Sequence, residues 1–156
     1  MSARQRSPTT IAMSTDVTTE IVIRRPRAEV AAFMFDPHND VRWTTGVVES
    51  RPRDPGPLRR GSRVERISKF LGRRFGYEYE VVDTDERSFV EMKVERPFPM
   101  HIRYELEDVP EGTRTRIHAR GDAGGFFRIA GPLLNGMVRR NITRDLELLR
   151  GCLEHT

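Results

Sequence analysis

The sequence predicts an α+β fold in which a curved antiparallel sheet of about seven strands is wrapped around one long C-terminal helix, with two short helices between strands 1 and 2. Between Val17 and Arg120, short segments of alternating apolar and polar residues follow one another, separated by turn residues. Once these segments are folded into hairpins, the apolar side chains fall on one side of the sheet. Beyond them, Leu134, Val138, Ile142, Leu146, Leu149 and Leu153 recur at spacings of three and four, which makes one helical face over about 20 residues. A chain of 156 residues, 37% hydrophobic and 32% charged, is the size of one domain able to bury a core or enclose a cavity.

Residues 1–15 are polar, lack periodicity and contain a second methionine, Met13, so they read as a loose leader or the product of an upstream start codon. A single domain is expected over residues 16–156. Thr19, Ile21 and Ile23 alternate with Thr18, Glu20 and Val22 in the first strand, and Pro26 opens a short helix with Val30, Ala31, Phe33 and Met34. Asp36-Pro37 ends that helix, a second short helix is expected over His38 to Trp43, and Gly46 starts a strand. Arg51 to Arg60 reads as a Pro/Gly/Arg loop.

Pairing arithmetic then places the middle strands, because residues opposite each other in an antiparallel pair share a sheet face. A turn centred on Gly72-Arg73 pairs Phe70 with Phe75, Ser68 with Tyr77, Arg66 with Tyr79 and Val64 with Val81. A next turn at Asp85-Glu86 sets Val90, Met92 and Val94 opposite Val81, Tyr79 and Tyr77. The loop Pro97-Phe98-Pro99 leads to Ile102, Tyr104 and Leu106, and the turn from Pro110 to Gly112 to Thr115, Ile117 and Ala119. The opposite face carries Arg63, Glu65, Glu78, Glu80, Glu91, Arg103, Glu105 and Arg116, the pattern of a sheet wet on one side. A Gly-rich link with Gly121, Gly124 and Gly125 reads as a hinge into the last helix, which Pro132 helps to start.

The formal net charge is +4, but the 27 basic and 23 acidic residues are interleaved, which argues against a nucleic-acid partner. All basic residues except Lys69 and Lys93 are arginines. No apolar run approaches the length of a bilayer span and no secretory signal is evident, so the expected location is the cytoplasm, without membrane insertion. Cys152, the one cysteine, excludes an internal disulfide framework. His38, His101, His118 and His155 are scattered, and no metal or other cofactor is expected. Nothing in the pattern separates a monomer from a homodimer.

Pro26-Arg27-Ala28-Glu29-Val30, Phe35-Asp36-Pro37 and Arg42-Trp43, in this order of elements, resemble the first helix pair of the START/SRPBCC superfamily. Gly61-Ser62-Arg63-Val64, Leu71-Gly72-Arg73-Arg74, Pro97-Phe98-Pro99-Met100 and Gly112-Thr113-Arg114 resemble its polyketide cyclase/dehydrase branch. The resemblance spans about residues 17–154. It implies the helix-grip fold, with a ligand cavity between sheet and helix, in a superfamily whose members bind lipids, hormones, quinones or aromatic polyketides and only in part catalyse.

On the face expected to line that cavity, Arg66, Ser68, Tyr77, Tyr79 and Tyr104 stand among Val64, Phe70, Phe75, Met92 and Ile117, a setting suited to an aromatic or lipidic ligand carrying oxygen. A guanidinium on an apolar face is costly unless paired, so Arg66 has either a ligand or a loop acid such as Asp40 as its partner. On the last helix Met137 and Asn141 flank the apolar stripe and are placed to close the cavity roof, and Trp43 to cover its mouth. Two readings follow. One is a binding module for a small hydrophobic molecule; the other is an enzyme of the cyclase/dehydratase kind, in which Arg66 stabilises an enolate and a phenol such as Tyr79 transfers a proton.

Overall fold

The computed structural model describes residues 15–155. Strand β1 (Thr15–Ile23) is followed by helix α1 (Arg27–Met34), a 3-10 turn (Pro37–Asn39) and the one-turn helix α2 (Asp40–Trp43). Six strands then run in sequence: β2 (Val47–Pro52), β3 (Arg63–Phe70), β4 (Arg73–Thr84), β5 (Phe89–Val94), β6 (Met100–Val109) and β7 (Gly112–Gly121). A one-turn helix α3 (Gly124–Phe127) interrupts the glycine-rich link, and α4 (Gly131–Glu154) ends the fold. Apart from Thr15, which pairs with Gly121, the leader expected at residues 1–15 lies outside the described residues.

All seven strands form one antiparallel sheet in the order β1-β7-β6-β5-β4-β3-β2. The connection from β1 to β2 carries α1 and α2 across one face of the sheet. The same face receives α4, whose Leu134, Leu146, Leu149 and Leu153 are buried, together with Ile23, Val30, Met34, Trp43, Val64, Val81, Val90 and Met92. This helix-grip arrangement of sheet and helices is the expected one. Among the described residues, no helix is long and apolar enough to cross a membrane.

The strand facings hold, while the register moves by two residues. The β3–β4 turn is Leu71-Gly72, with φ of 52° and 81°, a two-residue loop whose backbone matches the strands' twist. Val64 is therefore opposite Tyr79, Arg66 opposite Tyr77 and Ser68 opposite Phe75. An even shift preserves the face of every residue, because side chains alternate with period two. Between β4 and β5, Tyr79 meets Val94 and Val81 meets Met92, and an irregularity at Val81/Asp83 absorbs one residue before Thr84 meets Val90. Glu78 and Glu80 stay on the outer face, where Arg53 and Arg63 pair with them. A ladder of Arg116 with Glu20 and Glu105, and of Arg103 with Glu105 and Glu91, neutralises that face across four strands.

Candidate ligand-binding site

Between the sheet and α4 lies a cavity of about 190 Å³. Its walls are mostly apolar, and its polar side chains come from the sheet, from the α2 region and from α4. Asp36 accepts a hydrogen bond from the His38 N–H at 3.0 Å and Pro37 takes the first position of the 3-10 turn, which leads directly into α2. Helix α2 thereby brings Asp40 and Trp43 beneath the sheet. Arg66, Ser68, Tyr77, Tyr79 and Tyr104 reach the cavity by strand alternation, and Asn141 and Asp145 are one turn apart on the cavity face of α4.

Arg66 meets an internal partner. Its Nε and Nη2 donate to Oδ2 of Asp40 at 3.0 and 2.8 Å, and Ser50 Oγ donates to the same oxygen at 2.7 Å. Both charged side chains are nearly inaccessible, at 9% and 2% exposure. The third guanidinium nitrogen, Nη1, donates to the Tyr77 hydroxyl at 3.3 Å, and the guanidinium lies 4.8 Å from the centre of the Tyr79 ring. Burial opposes the charge on Arg66 more strongly than any single neighbour favours it, but the Asp40 carboxylate together with Tyr77, Tyr104 and Tyr79 outweighs it, and the pKa stands well above the usual arginine value. The sheet has no inward acid opposite Arg66; the acid arrives from α2, 26 residues earlier in the chain. Of the two partners the sequence left open, the loop acid occupies the guanidinium.

Asp145, which sequence reasoning passed over, is the second buried acid. Its Oδ1 accepts hydrogen bonds from the Thr45 N–H, at 2.7 Å, and from the Thr45 hydroxyl, tying α4 to the segment after α2. Burial raises its pKa, against the pull of the Thr45 hydrogen bonds and Arg66. The signal was present: Asp145 falls on the helical face of Leu134, Val138 and Ile142, where an acid interrupts an apolar stripe. Burial also pushes Tyr79 well above the ordinary phenol range and Tyr104 up to about 12, so both phenols are neutral hydrogen-bonding groups at physiological pH. The Trp43 indole N–H is buried without an acceptor among the described residues.

Trp43, Arg66, Ser68, Phe70, Phe75, Tyr77, Tyr79, Met92, Tyr104, Ile117 and Asn141 all line the cavity. Met137 does not. The inward face of α4 is centred on Leu134, Val138, Asn141, Ile142 and Asp145, and at about 100° per residue Met137 is turned roughly 80° away from it. Trp43 is fully buried against Tyr104, with ring centres 5.6 Å apart, and is part of the floor instead of a cover at the mouth. Half-buried phenylalanines take that place. Phe70, Phe75, Phe98, Phe126 and Phe127 converge from the β3–β4 hairpin, the β5–β6 loop and α3, with ring centres 4.9 to 5.9 Å apart.

The sequence matches the family described as polyketide cyclase / dehydrase and lipid transport over residues 14–154, and the chain belongs to that family. No curated protein matches the sequence. A START superfamily protein from Mycobacterium smegmatis superposes with a TM-score of 0.72 at 11% identity, covering 90% of this chain and 97% of the other. TTHA0849 from Thermus thermophilus superposes with a TM-score of 0.68 at 18% identity, covering 86% and 94%. BexL, a di-domain ARO/CYC protein of the BE-7585A biosynthetic pathway, gives 0.67 at 17%, covering 86% of this chain and 45% of BexL. At these identities the likeness is one of fold.

Proposed function

We propose that the protein binds a small, largely apolar molecule carrying an oxygen function in the cavity between the sheet and α4. One observation carries the reading: a mostly apolar chamber that brings together polar side chains, among them Arg66, Ser68, Tyr77, Tyr79, Tyr104, Asn141 and Asp145, from the sheet and α4. A core built only for stability would be filled there. Membership of a family described by both cyclase/dehydrase chemistry and lipid transport supports a small-molecule ligand without naming it. The enzyme reading gives Arg66 an enolate to stabilise, and this role needs a guanidinium with free donors. Here Asp40 already neutralises the guanidinium and takes an N–H from each of Nε and Nη2, and Tyr77 takes one from Nη1, which weakens the pull on an enolate and favours binding over catalysis.

Fluorescence titration with the uncharged probe N-phenyl-1-naphthylamine tests the reading, with native mass spectrometry of the purified protein beside it. Saturable binding at one probe per chain is the expected outcome. A linear, non-saturating signal together with the bare protein mass would oppose it.

A further inference from the structure

We infer that the cavity selects an electrically neutral ligand whose hydroxyl donates to Asp145, and that it rejects ligands of the same shape carrying a carboxylate. This inference rests on the cavity-binding reading above. It begins with the count of buried charge. Among the described residues two cationic residues border the cavity: Lys69, which is exposed, and Arg66, which is buried and which Asp40 neutralises through two hydrogen bonds. Asp145 is a second acid lining the same chamber, 6% exposed, with no cationic group in hydrogen-bond contact. A ligand carboxylate would therefore bring a third acid to a site whose buried cation is already paired with Asp40, and burying an unpaired charge is costly.

The donor and acceptor inventory points the same way. Both hydrogen bonds that Asp145 accepts fall on Oδ1, so among the described residues Oδ2 is left without a donor. One turn earlier on the same helix face, Asn141 lines the cavity and its amide makes no hydrogen bond among the described residues. Residues four apart on a helix stack side by side. A hydroxyl placed between them donates its proton to Asp145 and accepts one from the Asn141 amide, which satisfies a donor and an acceptor at once. Tyr79 and Tyr104 add phenol hydroxyls to the lining of the same chamber. A carboxylate has no proton to give Asp145 and would set oxygen against oxygen.

The test displaces bound N-phenyl-1-naphthylamine with two ligands of one skeleton, 2-naphthol and 2-naphthoate, at pH 7.5, a value at which the acid is fully ionised and the naphthol is not. The unmodified protein is expected to bind 2-naphthol at least tenfold more tightly than 2-naphthoate. Asp145→Asn keeps an oxygen for Thr45 and removes the charge, and it is expected to narrow that ratio at least threefold, mainly by improving naphthoate. Equal affinities, or a preference for naphthoate in the unmodified protein, would overturn the selection by charge, and that result needs no variant to fold. An unchanged ratio in Asp145→Asn would remove Asp145 from the site. Failure of the neutral probe itself to bind would strike the cavity-binding reading and this inference with it, whereas probe binding without discrimination would strike this inference alone.

Discussion

Arg66 holds a charge on the concave face only because Asp40 meets it there, so the pair is best understood as a buried unit whose halves are unstable apart. Removing one partner of such a pair strands the other, at about 3–5 kcal/mol. Arg66→Met is accordingly expected to lower the unfolding free energy by about 3 kcal/mol in urea melts. Adding Asp40→Asn should cost much less than its effect alone, since the stranded carboxylate is then gone; strict additivity would show that the two side chains do not act as a pair. Asp145 has the opposite signature. Burial raises its pKa in the fold above the unfolded value of about 4, so its contribution to stability is complete below that pH and is lost as pH rises through the folded-state pKa. Asp145→Asn should therefore match the unmodified protein in melting temperature below about pH 4 and exceed it increasingly toward neutrality. A constant difference at every pH would mean that Asp145 does not titrate anomalously. Arg66 was legible as a residue needing a partner because strand alternation alone puts it among apolar neighbours. Which acid answers it was not legible, since the path of α1 and α2 under the sheet, and not any local spacing, decides that Asp40 arrives there.

At the scale of elements, strands were easier to read than turns. Alternation fixed the inward face of β3 to β7 because a one-residue error would have exposed every apolar side chain at once. A two-residue error carries no such penalty, and the β3–β4 hairpin was misplaced by that amount. The cause is Leu71. Two-residue hairpin loops of this type need positive φ at both positions and favour Asn-Gly, so a leucine does not announce itself as the first turn residue. With φ of 52° and 38% exposure, Leu71 bears the left-handed conformation without burial to compensate. Leu71→Asn is expected to raise the unfolding free energy by about 0.5–1 kcal/mol in the same melts. A loss of stability would indicate that the leucine side chain contributes more to the neighbouring surface than its backbone costs. Helix α4 follows a similar rule: its apolar stripe was plain, while the angle at which it faces the cavity, which turns Met137 aside and Asp145 inward, depends on packing against β1 and α2.

Across the whole molecule the cavity has two unlike ends: an inner end around Trp43, Arg66 and Tyr104, and an outer end lined by Phe70, Phe75, Phe98 and Phe127 with Phe126 packed behind them. The rings belong to three segments far apart in sequence, so no window of the chain displays them together and only the folded topology does. Phe126 is the informative member. It does not line the cavity, yet it packs on Phe75, Phe98 and Phe127 at 5.3, 5.1 and 4.9 Å. The Arg73 guanidinium lies 3.9 Å from its ring centre and also donates to its backbone carbonyl, so the β3–β4 hairpin is clasped to α3 through this residue. Aromatic pairs of this kind are each worth about 0.5–1.5 kcal/mol, enough in sum to slow the opening of a mouth built from loops and one short helix. Phe126→Ala removes the ring behind the closure while leaving Phe70, Phe75, Phe98 and Phe127 on the wall. In stopped-flow measurements with N-phenyl-1-naphthylamine, association and dissociation should both accelerate, by about fivefold or more if two such pairs limit opening, with Kd nearly unchanged. A weakened Kd at an unchanged association rate would make Phe126 part of the binding surface. Unchanged rates in both directions would place the ligand's route elsewhere, away from the phenylalanine end.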